Sequence, residues 1–117
     1  MKVRLETVSL TTLVIPEGRL DFGAAAEFQK HVEEAIARAG RAPAAVIVDC
    51  AALEYVSSAG LRVFLMAART AKPAGVLFAV CALQPSVREV FDISGFSRII
   101  EVHADRAVAL AYTPPPA

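Results

Sequence analysis

Residues 46–66 read VIVDCAALEYVSSAGLRVFLM, and the interpretation of this stretch decides the fold. A β-branched run, Val46-Ile47-Val48, ends in Asp49 and Cys50. After a connection, Ser57-Ser58-Ala59-Gly60 opens an apolar helical pattern that continues to about Ala71. A strand that feeds a helix through a short loop is the repeating unit of a parallel α/β sheet.

The same grammar extends in both directions. Residues 44–48 and 76–80 are apolar without alternation, as expected of strands covered on both faces. Between the N-terminal segment and the first of these, Ala25, Phe28, Val32, Ala35, Ile36 and Ala39 fall on one helical face, with Gly40 as a stop. Lys30 with Glu34, and Glu34 with Arg38, stand at i,i+4 spacing on this helix. Residues 3–7 alternate and residues 10–15 are rich in β-formers, which predicts two strands. Their short link makes them antiparallel neighbours. Pro16 marks a strand end or an edge, and residues 17–23 read as a polar, glycine-containing connection.

Downstream, Lys72-Pro73-Ala74-Gly75 is a turn signal. Pro85 opens a helix that Gly95 closes, residues 99–102 fit a last short strand, and residues 106–112 fit a closing helix. The expected order is β-β-α-β-α-β-α-β-α: an α/β fold with a mixed, mostly parallel β-sheet, an antiparallel N-terminal strand and about four helices. Residues 1–112 form one domain on this reading, and 113–117 an extended Pro-rich tail. Functional loops of such sheets lie beyond the carboxyl ends of the strands, which is where Ser57 and Ser58 fall.

At 117 residues the chain is of single-domain size and is expected to be a monomer when free. Twelve Lys plus Arg balance twelve Asp plus Glu, so no global field draws it to nucleic acid or a membrane surface. Apolar runs are broken by Asp49, Arg62 or Arg69 well short of a membrane span, and the start MKVRLETV lacks a signal-peptide apolar region, so a cytoplasmic protein is expected. Cys50 and Cys81 each follow a strand-like run. They read as small buried hydrophobes near one another, in preference to a disulfide or redox pair. His31 and His103 do not make a metal-ligand cluster.

The catalytic vocabulary is sparse. No glycine-rich phosphate loop occurs, and Ser58-Ala59-Gly60 is not the G-x-S-x-G of an esterase elbow. No histidine can be tied to either serine as a base, and no cofactor is implied. What remains is a serine pair at a helix start. Ser57 is placed to cap the helix, while Ser58 has less reason to cap and more to present its hydroxyl outward. A phosphoryl group on Ser58 would sit at the positive end of the helix with Arg62 one turn on.

These residues resemble the STAS domain family, and within it the bacterial anti-sigma-factor antagonists. The specific part is Val46 to Asp49 followed by LEYVSSAGLR at residues 53–62; Gly18-Arg19-Leu20-Asp21 and VREVFDISG at residues 87–95 are secondary matches. The resemblance implies a partner-switching protein without catalysis of its own. Its unphosphorylated form binds a GHKL-type serine kinase that doubles as anti-sigma factor and so releases the captive. Phosphorylation ends the interaction, and a metal-dependent serine phosphatase resets it. Many members read Asp-Ser-Ser-Gly where this chain reads Ser57-Ser58-Ala59-Gly60; the implied acceptor is Ser58, with Ser57 as the alternative. The implied partner-binding residues are Asp21, Ser57, Ser58, Ala59, Gly60, Leu61 and Arg62. Asp21 reads equally as a cap before Ala24, Asp49 as a turn residue, and Leu61 and Phe64 as core. A second reading keeps the fold without phosphorylation, as a scaffold subunit of a transporter or signalling complex.

Overall fold

The computed structural model describes residues 1–39 and 44–112. The expected stop at Gly40, the Arg41-Ala42-Pro43 connection and the Pro-rich tail at 113–117 lie outside the described residues. Six strands are present among them: β1 (Lys2–Val8), β2 (Thr11–Leu20), β3 (Ala44–Asp49), β4 (Leu53–Val56), β5 (Val76–Cys81) and β6 (Glu101–His103). Four helices, α1 (Ala25–Ala39), α2 (Ser58–Ala74), α3 (Pro85–Ile93) and α4 (Arg106–Ala111), alternate with them, and Phe96–Arg98 forms a 3₁₀ turn.

The sheet runs β1-β2-β3-β5-β6, with β4 attached to the far end of β2. β1 and β2 are antiparallel and every other pair is parallel. The unalternated runs at β3 and β5 occupy the centre because both faces are covered. On one face Val14, Val46, Val48, Phe78 and Val80 pack under α1, α2 and α3. There Phe28, Phe64 and Phe91, one from each helix, stand 5.3 and 5.2 Å apart between ring centroids, and Phe96 extends the series. On the other face Leu13, Ile15, Ile47, Ala79 and Cys81 pack with Ala109 of α4.

Three boundaries differ from expectation, each for a physical reason. β2 does not end at Pro16 but runs to Leu20, so residues 17–20 are strand instead of connection. Even-numbered residues of β2 turn their polar backbone groups away from β1: Gly18 N–H donates to Ala52 O at 2.9 Å and Leu20 O accepts from Ser57 N–H at 2.8 Å, and Leu10 O, just ahead of the strand, accepts from Ala45 N–H. Pro16 shares that direction. It lies between Val14, the last residue in register with β3, and Gly18, the first in register with β4, so its missing N–H falls where β2 exchanges one neighbour for the other. Secondly, β4 occupies what reads as a loop. It is four residues long and its middle pair, Glu54 and Tyr55, is exposed. Thirdly, α2 continues through Pro73 to Ala74, and Gly75 (φ +74°) closes it by donating its N–H to Ala71 O and Lys72 O.

Smaller shifts follow the same pattern. The last strand begins at Glu101 instead of residue 99. On α1 the i,i+4 contacts that close are Gln29–Glu33 (2.8 Å) and His31–Glu27 (3.9 Å), in place of the pairs at Lys30–Glu34 and Glu34–Arg38. Cys50 and Cys81 are neighbours, with Cys50 N–H donating to Cys81 O at 2.9 Å, but their side chains pack in the clusters on opposite faces of the sheet. Both thiols are free. Burial pushes Cys50 well up and Cys81 to about 12, which keeps both protonated and unreactive.

Candidate functional site

The β2–β4 pairing builds the site. Arg19 stands in register with Tyr55 and Leu20 with Val56, and the ladder continues one step further, where Ser57 N–H donates to Leu20 O at 2.8 Å. The loop after β2 and the start of α2 are thereby brought side by side. The guanidinium carbon of Arg19 lies 4.1 Å from the Tyr55 ring centroid, a cation–π contact on the exposed side of this junction.

Both helices that leave the junction are capped by side chains. Asp21 Oδ1 accepts from Ala24 N–H at 3.0 Å ahead of α1. Ser57, extended at φ −82° and ψ 171°, accepts from Gly60 N–H on its Oγ at 3.1 Å, and its carbonyl accepts the first intrahelical bond, from Leu61 N–H at 2.9 Å. Ser57 is therefore engaged as the N-cap, whereas Ser58 is the first residue of the helix and is exposed. The N–H groups of Ser58 and Ala59 come before Leu61, the first intrahelical donor, and lie at the positive end of the helix.

Gly60 allows this geometry. A Cβ there would stand 2.6 Å from Leu20 Cγ and 2.9 Å from Leu20 Cδ2, closer than real Cβ contacts come, and 3.0 Å from Val56 Cγ2, which is itself tight. The absence of a side chain is what lets α2 start directly on the end of β2 and β4. Gly60 is buried and Leu61 is half-buried against the core. Phe64 is fully buried, while Ser58, Arg62, Met66 and Arg69 form the exposed stripe of α2. The nearly all-apolar pattern of this helix thus resolves into one buried face, Gly60, Val63, Phe64, Ala67 and Ala71, and one open stripe with half-buried residues between them.

Between the first turns of α1 and α2 lies an open groove of about 740 Å³. Small residues, Gly23, Ala25, Ala26 and Ala59, form its floor and sides; Ser58, Arg62 and Gln29 supply its polar groups. Phe22 stands at its rim and is 84% exposed. Of the sequence-predicted residues, Ser58, Ala59 and Arg62 line the groove and Asp21 and Ser57 flank it as caps, whereas Gly60 and Leu61 do not line it: Gly60 is buried on Leu20 and Val56, and Leu61 is half-buried against the core. Phe22 was not singled out by sequence reasoning; its one signal is an aromatic residue in an otherwise polar, glycine-containing segment. Asp49 is not at this site. It is buried at the end of β3, where its Oδ1 accepts from Ala51 N–H and its Oδ2 from Arg106 Nε at 2.9 Å.

The arrangement offers hydroxyl, amide and guanidinium groups around an apolar recess. Among the described residues no group of three or more His, Cys, Asp or Glu is placed to hold a metal ion. Nor is any helix long and apolar enough to cross a membrane.

Comparison with known proteins agrees with this architecture. BtrV of Bordetella bronchiseptica, which is named as an anti-sigma factor antagonist, is 46% identical over 66 residues, a match covering 56% of this chain and 57% of BtrV. The chain therefore spans just over half the length of that curated relative. An anti-sigma factor antagonist from Mycobacterium paratuberculosis superposes with a TM-score of 0.86 at 20% identity, over 96% of this chain and 92% of that one. SpoIIAA in its unphosphorylated form gives 0.75 at 24% identity, over 93% of each chain; the phosphorylated form of the Bacillus protein gives 0.70, also at 24%, over 94% of this chain and 97% of that one. The STAS domain profile matches residues 2–109, nearly the whole chain, and the chain belongs to the STAS domain family.

Proposed function

We propose that this protein is an anti-sigma-factor antagonist that works by partner switching, with Ser58 as its phosphoacceptor. In the unphosphorylated state the groove between α1 and α2, with Asp21, Phe22, Ser58, Ala59 and Arg62 around it, docks a GHKL-type serine kinase that also serves as anti-sigma factor. Docking releases the captive. Phosphorylation of Ser58 then ends the interaction, and a metal-dependent serine phosphatase restores it.

The observation that carries this reading is the division of labour between adjacent hydroxyls: Ser57 Oγ is committed to Gly60 N–H, and Ser58 is exposed on the groove. A phosphate on Ser58 would be stabilised by the first-turn N–H groups of Ser58 and Ala59 and by Arg62 at i+4, so the fold tolerates it. The same phosphate places nearly two negative charges at the mouth of an apolar recess, where desolvating them against a partner is costly. Naming BtrV and SpoIIAA as anti-sigma factor antagonists supports the class of partner. A structure of SpoIIAA in a phosphorylated form supports the kind of switch.

The test is incubation with ATP and a candidate kinase, ideally one encoded nearby, followed by mass-spectrometric mapping. Label on Ser58, absent from Ser58→Ala and retained in Ser57→Ala, is the expected result. An active kinase that labels neither serine overturns the reading. Ser58→Asp should weaken kinase binding while Ser58→Ala preserves it; equal binding by both variants rejects the docking surface even if phosphate is found.

A further inference from the structure

We infer that β1 is a self-complementary edge through which two copies of this chain pair antiparallel about a two-fold axis. Among the described residues β1 is hydrogen-bonded on one side only, to β2, and lies at the margin of the sheet. Its orientation follows from that of β2. Because the even-numbered residues of β2 face β3 and β4, its odd-numbered residues bond to Lys2, Arg4, Glu6 and Val8. The N–H and C=O groups of Val3, Leu5 and Thr7 therefore point outward, away from the sheet. Leu5 and Val8 are 42% and 43% exposed on this margin. Such an edge is a template for strand addition.

Antiparallel pairing requires outward-facing residues to oppose one another, so only alternate registers are open. With Leu5 opposite Leu5 of the second copy, Val3 opposes Thr7 and both Arg4–Glu6 pairs form at the closer, non-hydrogen-bonded positions. Sliding by one permitted step in one direction sets Arg4 against Arg4, with Lys2 opposite Glu6 on either side; in the other it sets Glu6 against Glu6 with no opposite-charge pair. Of the three, the Leu5-centred register alone forms two opposite-charge pairs without a like-charge one, so the charge pattern of KVRLETV favours it. Arg4 and Glu6 have side chains about half exposed (50% and 41%), and their contacts within the chain are long, at 3.5 to 3.8 Å. They remain available to a second copy. A single strand pair buries less than a standard interface, so the association is weak and reversible. This departs from the monomer expected from chain size, which carries no information about edges.

Sedimentation of the full chain from micromolar to near-millimolar concentration tests the inference. The weight-average mass should climb from 12.4 kDa towards twice that value, and less steeply at high salt. Arg4→Glu, which turns both cross-pairs repulsive, should weaken association roughly tenfold or more. Arg4→Glu combined with Glu6→Arg should restore it. Leu5→Pro removes an outward N–H that a free edge does not use, so it should leave the far-UV spectrum intact while abolishing the dimer. A mass of one chain at every concentration overturns the inference. So does a dimer indifferent to the charge reversal, since that dimer uses another surface.

Discussion

The two faces of the sheet are held in different ways. Under α1, α2 and α3 the contact is broad and apolar, with three fully buried phenylalanines in series, and the groove with Ser58 sits at its end. The opposite face carries a smaller cluster under the short helix α4, which a charged tie fastens at its first turn: Arg106 bonds Asp49 at 2.9 Å and approaches Glu6 at 3.5 Å. The hydrogen bond to Asp49 raises the affinity of Arg106 for its proton still further. The site thus rests on packing that surface chemistry scarcely touches. The far face rests on a few polar contacts that one substitution can remove.

Phe64→Ala attacks the apolar face directly and should cost about 3–5 kcal/mol, read as a lower urea midpoint, because the cavity opens between Phe28 and Phe91. Gly60→Ala tests the same face at its tightest point. Leu20 and Val56 must move to admit the methyl group, at roughly 1–3 kcal/mol. Unchanged stability would show that α2 can lift off β2 freely, and the contrast between the faces would lose its basis. On the far face, Arg106→Ala leaves the carboxylate of Asp49 buried with one fewer donor, at about 1–3 kcal/mol. Hydrogen exchange should report the loss in α4 and spare α2. The smallest effect separates the serines: Ser57→Ala should cost about 1 kcal/mol through the lost cap, and Ser58→Ala no more than about 0.5 kcal/mol. Equal losses would mean that both hydroxyls serve the fold.

How much of this was legible in the sequence depended on whether local chemistry or a distant partner decided the outcome. β3 and β5 were readable because burial on both faces leaves an unbroken apolar run. α1 was readable because its stripe of Phe28, Val32, Ala35 and Ile36 keeps one period. β4 was not: Leu53-Glu54-Tyr55-Val56 is a strand only because residues 18–20 of β2 lie beside it, and nothing within four residues announces that neighbour. Pro73 suggested a turn, yet it falls in the last turn of α2, where one lost backbone bond is tolerated before Gly75. At the site, the cap at Ser57 and the exposure of Ser58 follow from the pattern of a helix start. The burial of Gly60 and the exposure of Phe22 do not: the first depends on how α2 seats on Leu20 of β2 and Val56 of β4, the second on how the loop after β2 leads into α1.

Pro16 has a further consequence. A slip of β2 by two residues in either direction would bring a ring nitrogen with no hydrogen against a carbonyl of β3 or β4, and one rung of the ladder would be lost. The fork in the sheet is thereby encoded by a donor the chain omits. Since Asp21 follows β2 and Ser57 follows β4, that omission works as a ruler, setting the separation of two side chains that are 36 positions apart in sequence and adjacent in the fold.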